Sequence, residues 1–573
     1  MTTTTSTGAS TTSVVNTSGS NTYVTGTASG LDTQSLITAA VAQRTAAADT
    51  LDAKVTANKT KIAAYQQLQT LVTALSTSMS KLAAPTYSAV STASSAFQGK
   101  AVTLTSSDSS SASSYLAASA DADAAAASYK LQVTQLAAAE KAASSAMDQT
   151  SALNSAGTFT LQEADGQAAT ITVTADMTLS DLASAINDVA ATSGVSASII
   201  KDSTSGYRLV LSANDTNQAI TATAASGDDV LTSLGLLSSD GSFADVLQTA
   251  QPAILTLDGA QITNDTNNVT DAVSGLSLSL LNTTPSGTTV TLAVAADYSA
   301  VKTAITDFIT AYNSLRDFIT TNQTVGSDGT VSSSASLFAD SLLRGASQTL
   351  GGLLSSPSPS ASGGYATLAD LGVTFDSNTK LTLADETTLD NALLSNLSQV
   401  AAMFQTRFTP SDSALKLLQN TSQASFNFTL DVTVNSDGSL ASASVGGDSS
   451  LVTVSGSRIV GAKGSLYDGL SFALVATADT SVQVSLTQGL ANQLTSFAKL
   501  FGDTSAGLIE QQIDALTTQD ESWTSRSDQI RSDAADYQTS LVNKYASMEQ
   551  EVSAAQLVQS QIKALLNAAS TSG

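Results

Sequence analysis

The sequence has no cysteine and no histidine. Disulfides, thiolate nucleophiles, imidazole bases and every metal site built on those two residues are excluded together. Proline is scarce, with 6 residues, tryptophan occurs once, and aromatic residues make up only 5% of the chain. Charge is sparse at 12% and unbalanced, 23 basic against 48 acidic residues, for a formal net charge of −25. A surface that acidic repels phosphate backbones and anionic lipid, so no nucleic acid is expected as a partner. No stretch approaches the ~18 consecutive apolar residues of a membrane span. Met1 to Ser20 is a Thr/Ser/Gly tract and the first basic residue is Arg44, so no cleaved secretory signal is expected.

What is present is length and pattern. The 573 residues, 42% of them apolar, exceed what one core holds, since single cores stop growing near ~250–300 residues. The two ends read as helices. Ser29-Gly30-Leu31-Asp32 fits a capping box with Ser29 as N-cap, followed on one face by Leu36, Ile37, Ala40 and Val41. Leu51, Val55, Ile62, Tyr65, Leu68, Val72, Leu75, Met79 and Leu82 then follow at steps of mostly three and four, a coiled-coil-like helix ending before Pro85.

The C-terminal end carries two series at sevenfold spacing. One is Ile513, Asp520, Ser527, Ala534, Leu541, Met548, Ala555 and Ile562. The other is Leu516, Trp523, Ile530, Tyr537, Lys544, Glu551, Val558 and Leu565. Together they predict one seam of about eight heptads. The polar positions Asp520, Ser527, Lys544 and Glu551 fit either a weak, register-setting seam or plain solvent exposure. A stripe this long needs a partner, and the N-terminal helix is the expected one. A third run, Val301, Ile305, Phe308, Tyr312, Leu315 and Ile319, is expected to join the bundle, followed by helical segments around Leu337 to Leu354 and Leu389 to Phe404.

Between Ala101 and Ala296 the period changes to two, as in Lys130 to Leu136, Thr170 to Thr174, Arg208 to Ser212 and Ile254 to Leu257. Gly157 to Ser212 reads strand, strand, helix (Leu179 to Ala190), strand, strand, with turns at Gly206 and Asp258-Gly259. A second strand-rich island spans Phe426 to Leu486. The expected fold class is thus α+β multidomain, with terminal helices forming a coiled-coil-like leg bundle and β-rich head lobes inserted in the middle. The expected division is a disordered Thr/Ser-rich leader at 1–28 and N-terminal leg helices at 29–86. A discontinuous first head lobe follows at 87–138 and 240–298, with a second lobe at 139–239. A helical bundle domain at 299–404, an inserted β-rich lobe at 405–487 and C-terminal leg helices at 488–573 complete it.

Residues able to do chemistry are few. Asn435-Ser436-Asp437-Gly438 lacks the first-position Asp and twelfth-position Glu of a calcium loop and reads as a hairpin turn. Asp121 and Asp123 read as a solvated acidic pair, because a catalytic dyad needs burial to split its two pKa values. Ser residues without a base carry no nucleophile, and Trp523, on the heptad stripe, reads as packing. No catalytic, cofactor-binding or metal-ligating residue is expected, and no enzyme.

Ser29-Gly30-Leu31-Asp32-Thr33-Gln34-Ser35-Leu36-Ile37, followed by Tyr65-Gln66-Gln67-Leu68, resembles the N-terminal signature of the flagellar hook-associated protein 2 family, the flagellar filament cap. Further matching segments are Tyr129 to Ala137, Gly206 to Leu211, Asp258-Gly259, Tyr312 to Leu315 and Leu368 to Val373, in the family's order. The resemblance covers Ala28 to about Phe404 and Gln488 to Ala568; the leader and the island from Gln405 to Thr487 depart from the family core.

That resemblance implies a secreted, extracellular protein at the distal tip of the bacterial flagellum, exported through the flagellar type III apparatus with an export chaperone. It implies a homo-oligomeric cap that promotes insertion and polymerisation of flagellin and meets hook–filament junction proteins. Leu31, Asp32, Leu36, Ile37, Val552, Ile562 and Leu565 would then contact the filament. Tyr65, Leu68, Val72, Leu75, Trp523, Ile530, Tyr537 and Leu541 would form the leg bundle. A flagellin or hook-junction protein shares the helix–head–helix plan, but the Ser-Gly-Leu-Asp start and Leu-Ala-Asp-Leu-Gly-Val segment favour the cap. The alternative from another class is a surface adhesin that binds host or matrix glycans through its Ser/Thr-rich β lobes.

Overall fold

The structure is a computed structural model that describes residues 14–18, 21–26, 28–83, 95–202, 206–361, 363–422 and 424–570. Among the described residues there are nine helices: α1 (Thr33–Ser80), α2 (Leu179–Asp188), α3 (Ala190–Ser193), α4 (Val230–Ser233), α5 (Tyr298–Gln323), α6 (Ser341–Ser355), α7 (Glu386–Phe404), α8 (Leu490–Gly502) and α9 (Leu508–Ser570). With strands in antiparallel sheets between them, the protein is an α+β multidomain chain. It divides into two compact units, Met1–Ala83 with Ala304–Gly573, and Ala84–Thr303.

In the first unit, α1 and α9 lie antiparallel along one another, with α8 packed on α1 and with α6 and α7 packed on α8. α1 starts one turn later than the capping box predicts. The N-cap is Asp32, whose carboxylate accepts the Ser35 amide at 3.0 Å and the Ser35 hydroxyl at 2.6 Å. Gly30, at φ +72°, keeps the preceding turn out of the helix, and the hydroxyl of Ser29 is engaged elsewhere. Pro85, expected to bound this helix, lies outside the described residues, as do residues 1–13 of the leader. Where the leader is expected to be disordered, Val14–Ser18 pairs antiparallel with Asn21–Thr25. Both segments are rich in Val, Thr and Tyr, which favour the pleated backbone, and their hairpin lies against α9.

α5 is fastened to the short hairpin Val373–Phe375 with Leu381–Leu383. The Asn313 amide donates to the Leu381 carbonyl while its oxygen accepts the Leu381 amide, both at 2.8 Å. Between α7 and α8 stands a sandwich of two four-stranded sheets. One runs in the order 407–410, 480–487, 426–434, 440–445, and the other 415–420, 470–474, 458–461, 452–455. Phe428, Leu430, Val432, Ile459, Phe472, Val482 and Val484 fill the space between them. Arg407–Pro410 pairs with Val484–Thr487, so the strands that lead into and out of the sandwich are neighbours. Gly438, at φ +82°, turns the hairpin at Asp437, whose carboxylate accepts the Ser439 amide at 3.0 Å.

The second unit holds two cores. One sheet runs 260–264, 253–257, 127–135, 290–296, 100–106 and encloses Leu131, Val133, Leu255, Leu278 and Leu292 with the three-stranded sheet 268–273, 276–280, 116–120. Asp258 and Gly259, both at positive φ, make the two-residue turn joining 253–257 to 260–264. The other core gathers Phe159, Leu161, Ile171, Leu182, Ile186, Leu209 and Leu211 beneath α2. Val246–Gln248 pairs with Lys141–Ala143, so this second lobe reaches beyond residue 239. Gly206 begins a strand paired with Asp202, and the intervening 203–205 lie outside the described residues. Asp121 and Asp123 are exposed.

Candidate functional site

The paired terminal helices make the candidate functional site. α9 has 63 residues and α1 has 48, about 95 and 72 Å at 1.5 Å per residue. Tyr65, Leu68, Val72 and Leu75 of α1 are all buried, as are Ile513 and Leu516 of α9. Trp523, Ile530, Tyr537 and Leu541 are half-buried along the same helix. Two of these half-buried positions are aromatic, and each meets a cation from α1. The Arg44 guanidinium stands 3.7 Å above the Tyr537 ring, and the Lys54 ammonium 5.4 Å from the Trp523 ring.

The polar positions divide. Asp520 and Ser527 are buried, whereas Lys544 and Glu551 are exposed. The Asn58 amide donates to Asp520 at 2.9 Å and to Gln519 at 3.0 Å. The Ser527 hydroxyl donates to Asp52 at 2.6 Å, and Arg531 bridges Asp49 and Asp52 at 2.7 and 2.6 Å. The Ser527 hydroxyl, then Arg531, hold the Asp52 carboxyl below its ordinary range. Each such group is satisfied only when α1 and α9 are in this register, so the first half of the seam is register-setting.

Beyond Leu541 the predicted stripe leaves the interface, and Val542, Ala546 and Glu549 are buried instead. A sevenfold pattern drifts about 20° per heptad on a straight helix. After four heptads from Ile513 the drift nears the 100° step between successive residues, which moves the seam by one position. Glu549 then closes the pair. It accepts the Ala28 amide at 2.8 Å, the Ser29 amide at 3.1 Å and the Ser29 hydroxyl, while Gln556 donates to the Ala28 carbonyl at 2.8 Å. Burial works against the charged carboxylate, yet the hydrogen bonds from Ser29 and Ala28 outweigh it and hold Glu549 below the usual range.

At this same end the apolar surface is open. Leu31 and Leu36 are each 49% exposed, and α9 continues with Leu557, Val558, Ile562, Leu565 and Leu566, from 51% to 70% exposed. Their spacing puts these residues on one side of the helix over about 14 Å. Of the sequence-derived contact residues, Leu31, Leu36, Ile562 and Leu565 are therefore on open surface. Ile37 is 1% exposed, which removes it from that surface, Val552 is half-buried, and Asp32 serves as the cap of α1. Sequence reasoning missed Asn58 and Glu549. Asn58 stood seven residues from both Leu51 and Tyr65, a signal that it lies on the seam. Glu549 offered none, because its partners, the Ala28 and Ser29 amides and the Ser29 hydroxyl, lie more than 500 residues away.

Above the seam, Tyr65 donates its hydroxyl to Asp340, the N-cap of α6, which also accepts the Leu343 amide at 2.8 Å. Among the described residues no group of carboxylates is placed to hold a metal ion, and no helix is long and apolar enough to cross a membrane.

The family model described as flagellar hook-associated protein 2 C-terminus matches residues 250–557, its N-terminal counterpart matches 29–140, and a flagellin hook IN motif matches 158–215. The chain is 33% identical to flagellar hook-associated protein 2 of Escherichia coli K12 over 66% of its length and 79% of the relative's. It is 32% identical to the B-type flagellar hook-associated protein 2 of Pseudomonas aeruginosa over 48% of its length, spanning 61% of that protein. The crystal structure of the flagellar cap protein FliD D1-D2-D3 domains from Escherichia coli superposes with a TM-score of 0.50 at 25% identity, covering 79% of this chain and 99% of that one. The chain belongs to the flagellar hook-associated protein 2 family.

Proposed function

We propose that this protein is a structural subunit of a flagellar filament cap, secreted to the distal tip of the flagellum. There it forms a homo-oligomer and promotes insertion and polymerisation of exported flagellin. The observation that carries this reading is the open apolar end of the helix pair. Leu31, Leu36, Ile562 and Leu565 stand on surface that the monomer leaves uncovered, where the register-locked seam presents them in fixed order. An uncovered stripe on a helix end is what a docking segment presents to another helix. The role asks for binding and release, not bond chemistry. The resemblance of Gly206 to Leu211 and Leu368 to Val373 to the family, now joined by matches over both termini, supports the same reading.

Hook–filament junction proteins, the type III export apparatus and an export chaperone are the further partners of this reading. Deleting the gene and assaying the medium for unpolymerised flagellin, with electron microscopy of the cells, tests it. Short or absent filaments with monomeric flagellin in the medium are expected. Normal filaments with a clean medium, in a strain with one such gene, would overturn it.

A further inference from the structure

α9 runs well past the start of its partner helix. α1 begins at Thr33, and the buried residues at that end of the pair are Thr33 and Ile37 on α1 with Val542 and Ala546 on α9. Residues 553–568 of α9 are all exposed. They include the open apolar set Leu557, Val558, Ile562, Leu565 and Leu566. A free helix of fewer than ~12–15 residues is marginal in water, because its first turn is costly to nucleate. Helix in this tail is therefore propagated from the last turn that another segment holds, and it frays from the free end.

The segment that holds this turn is the one before α1. Glu549 accepts the Ala28 amide at 2.8 Å, the Ser29 amide at 3.1 Å and the Ser29 hydroxyl. Seven residues on, the Gln556 side chain donates to the Ala28 carbonyl at 2.8 Å. Residues seven apart face the same way two turns along a helix, so both arms grip one dipeptide. The chain enters and leaves the grip through Gly26 at φ +82° and Gly30 at φ +72°, in the left-handed region that glycine adopts freely. Ahead of Gly26, the hairpin of Val14–Ser18 with Asn21–Thr25 also lies against α9. The family model for the N-terminus begins at residue 29, so the hairpin and Ala28 precede the matched region.

We propose that this hairpin and the gripped Ala28-Ser29 pair form a strap that holds α9 as far as Gln556 and seeds the helix of the open apolar segment beyond it. α1 covers α9 only to Ala546. The strap carries the last held point on to Gln556, about 15 Å further at 1.5 Å per residue. A segment that is already helical when it meets a partner loses less conformational freedom on binding. That gain rests on the reading of the open end as a docking surface; the strap itself does not.

Millisecond hydrogen exchange on the full chain tests it. Glu549→Ala with Gln556→Ala cuts both arms of the grip while raising the helix propensity of α9, since alanine is the best helix former. Propensity alone then predicts slower exchange in the tail, whereas loss of the strap predicts faster exchange. Amides of residues 557–566 are expected to exchange about tenfold faster in the double variant, with those of 516–534 unchanged. Ser29→Ala, which leaves α9 untouched, should quicken the same amides about threefold. Unchanged or slower exchange at 557–566 in the double variant would overturn the proposal. So would a rise that spreads equally to 516–534, or one that Ser29→Ala fails to reproduce. Exchange is read on the protein alone, so its outcome stands apart from the cap reading, which the assay for flagellin in the medium decides.

Discussion

Ser29 donates its hydroxyl to the carboxylate of Glu549, a residue 520 positions further along the chain. The contact joins the segment before α1 to the far part of α9 and fixes where the apolar ends stand. Glu549→Gln removes the negative acceptor while keeping the shape. Amide hydrogen exchange at Ala28 and Ser29 should quicken about tenfold or more, since bonds to a charged acceptor are the stronger kind. Unchanged exchange there would show that Glu549 does not hold this segment.

The same clasp should be sensitive to acid. The folded carboxyl of Glu549 is held below the ordinary glutamate value of 4.5, so the stability it contributes is present above that value. It is lost as pH falls through the lower folded value. Exchange at Ala28 and Ser29 should therefore be flat from pH 7 to about 5, after correction for intrinsic rates, and rise below about 4. A rise centred near neutrality would mean that another group is responsible.

Asn58→Ala should destabilise the helix pair by about 2 kcal/mol, because it strands the buried carboxylate of Asp520. Replacing both by leucine should restore or raise the melting temperature but loosen register. Cysteines placed at facing positions of α1 and α9 in that double variant should then cross-link in more than one pairing. A single pairing would show that apolar packing alone sets the register.

Leu31→Glu with Leu36→Glu should abolish retention at the filament tip and release the protein into the medium. Both side chains are half exposed, so folding stability should change by no more than about 0.5 kcal/mol each. Circular dichroism and thermal melting check the second point. Loss of the folded signal would mean that these residues serve the fold and not assembly.

Tyr65→Phe should cost about 1 kcal/mol, by removing the hydroxyl that reaches the cap of α6. Thermal denaturation measures this directly. Asp340→Ala should cost more, because it strips the Leu343 amide of its cap as well.

How far the sequence reaches can be seen along α9. Its first four heptads were readable because Ile513, Leu516 and Ala534 recur at core spacing, and the structure buries all three. Past Leu541 the strict count fails, since a real helix turns at 3.6 residues and the seam moves to Val542 and Ala546. The strands from Gly157 to Ser212 were readable from their alternation and turn residues, which are local signals. The cap of α1 was misplaced by one turn because Ser29 and Asp32 both suit an N-cap. The choice between them is made by Glu549, hundreds of residues away.

The α1–α9 seam also says something about order in time. Its bonded pairs are separated by 461 residues at Asn58 and Gln519 and by 520 at Ser29 and Glu549. Closing loops that long is an entropic cost met only after the intervening lobes have compacted. The lobes, whose contacts are closer in sequence, can therefore form while α1 waits without its mate. The open apolar end comes into being only once α9 has met α1, so a copy lacking its last helix presents no such end.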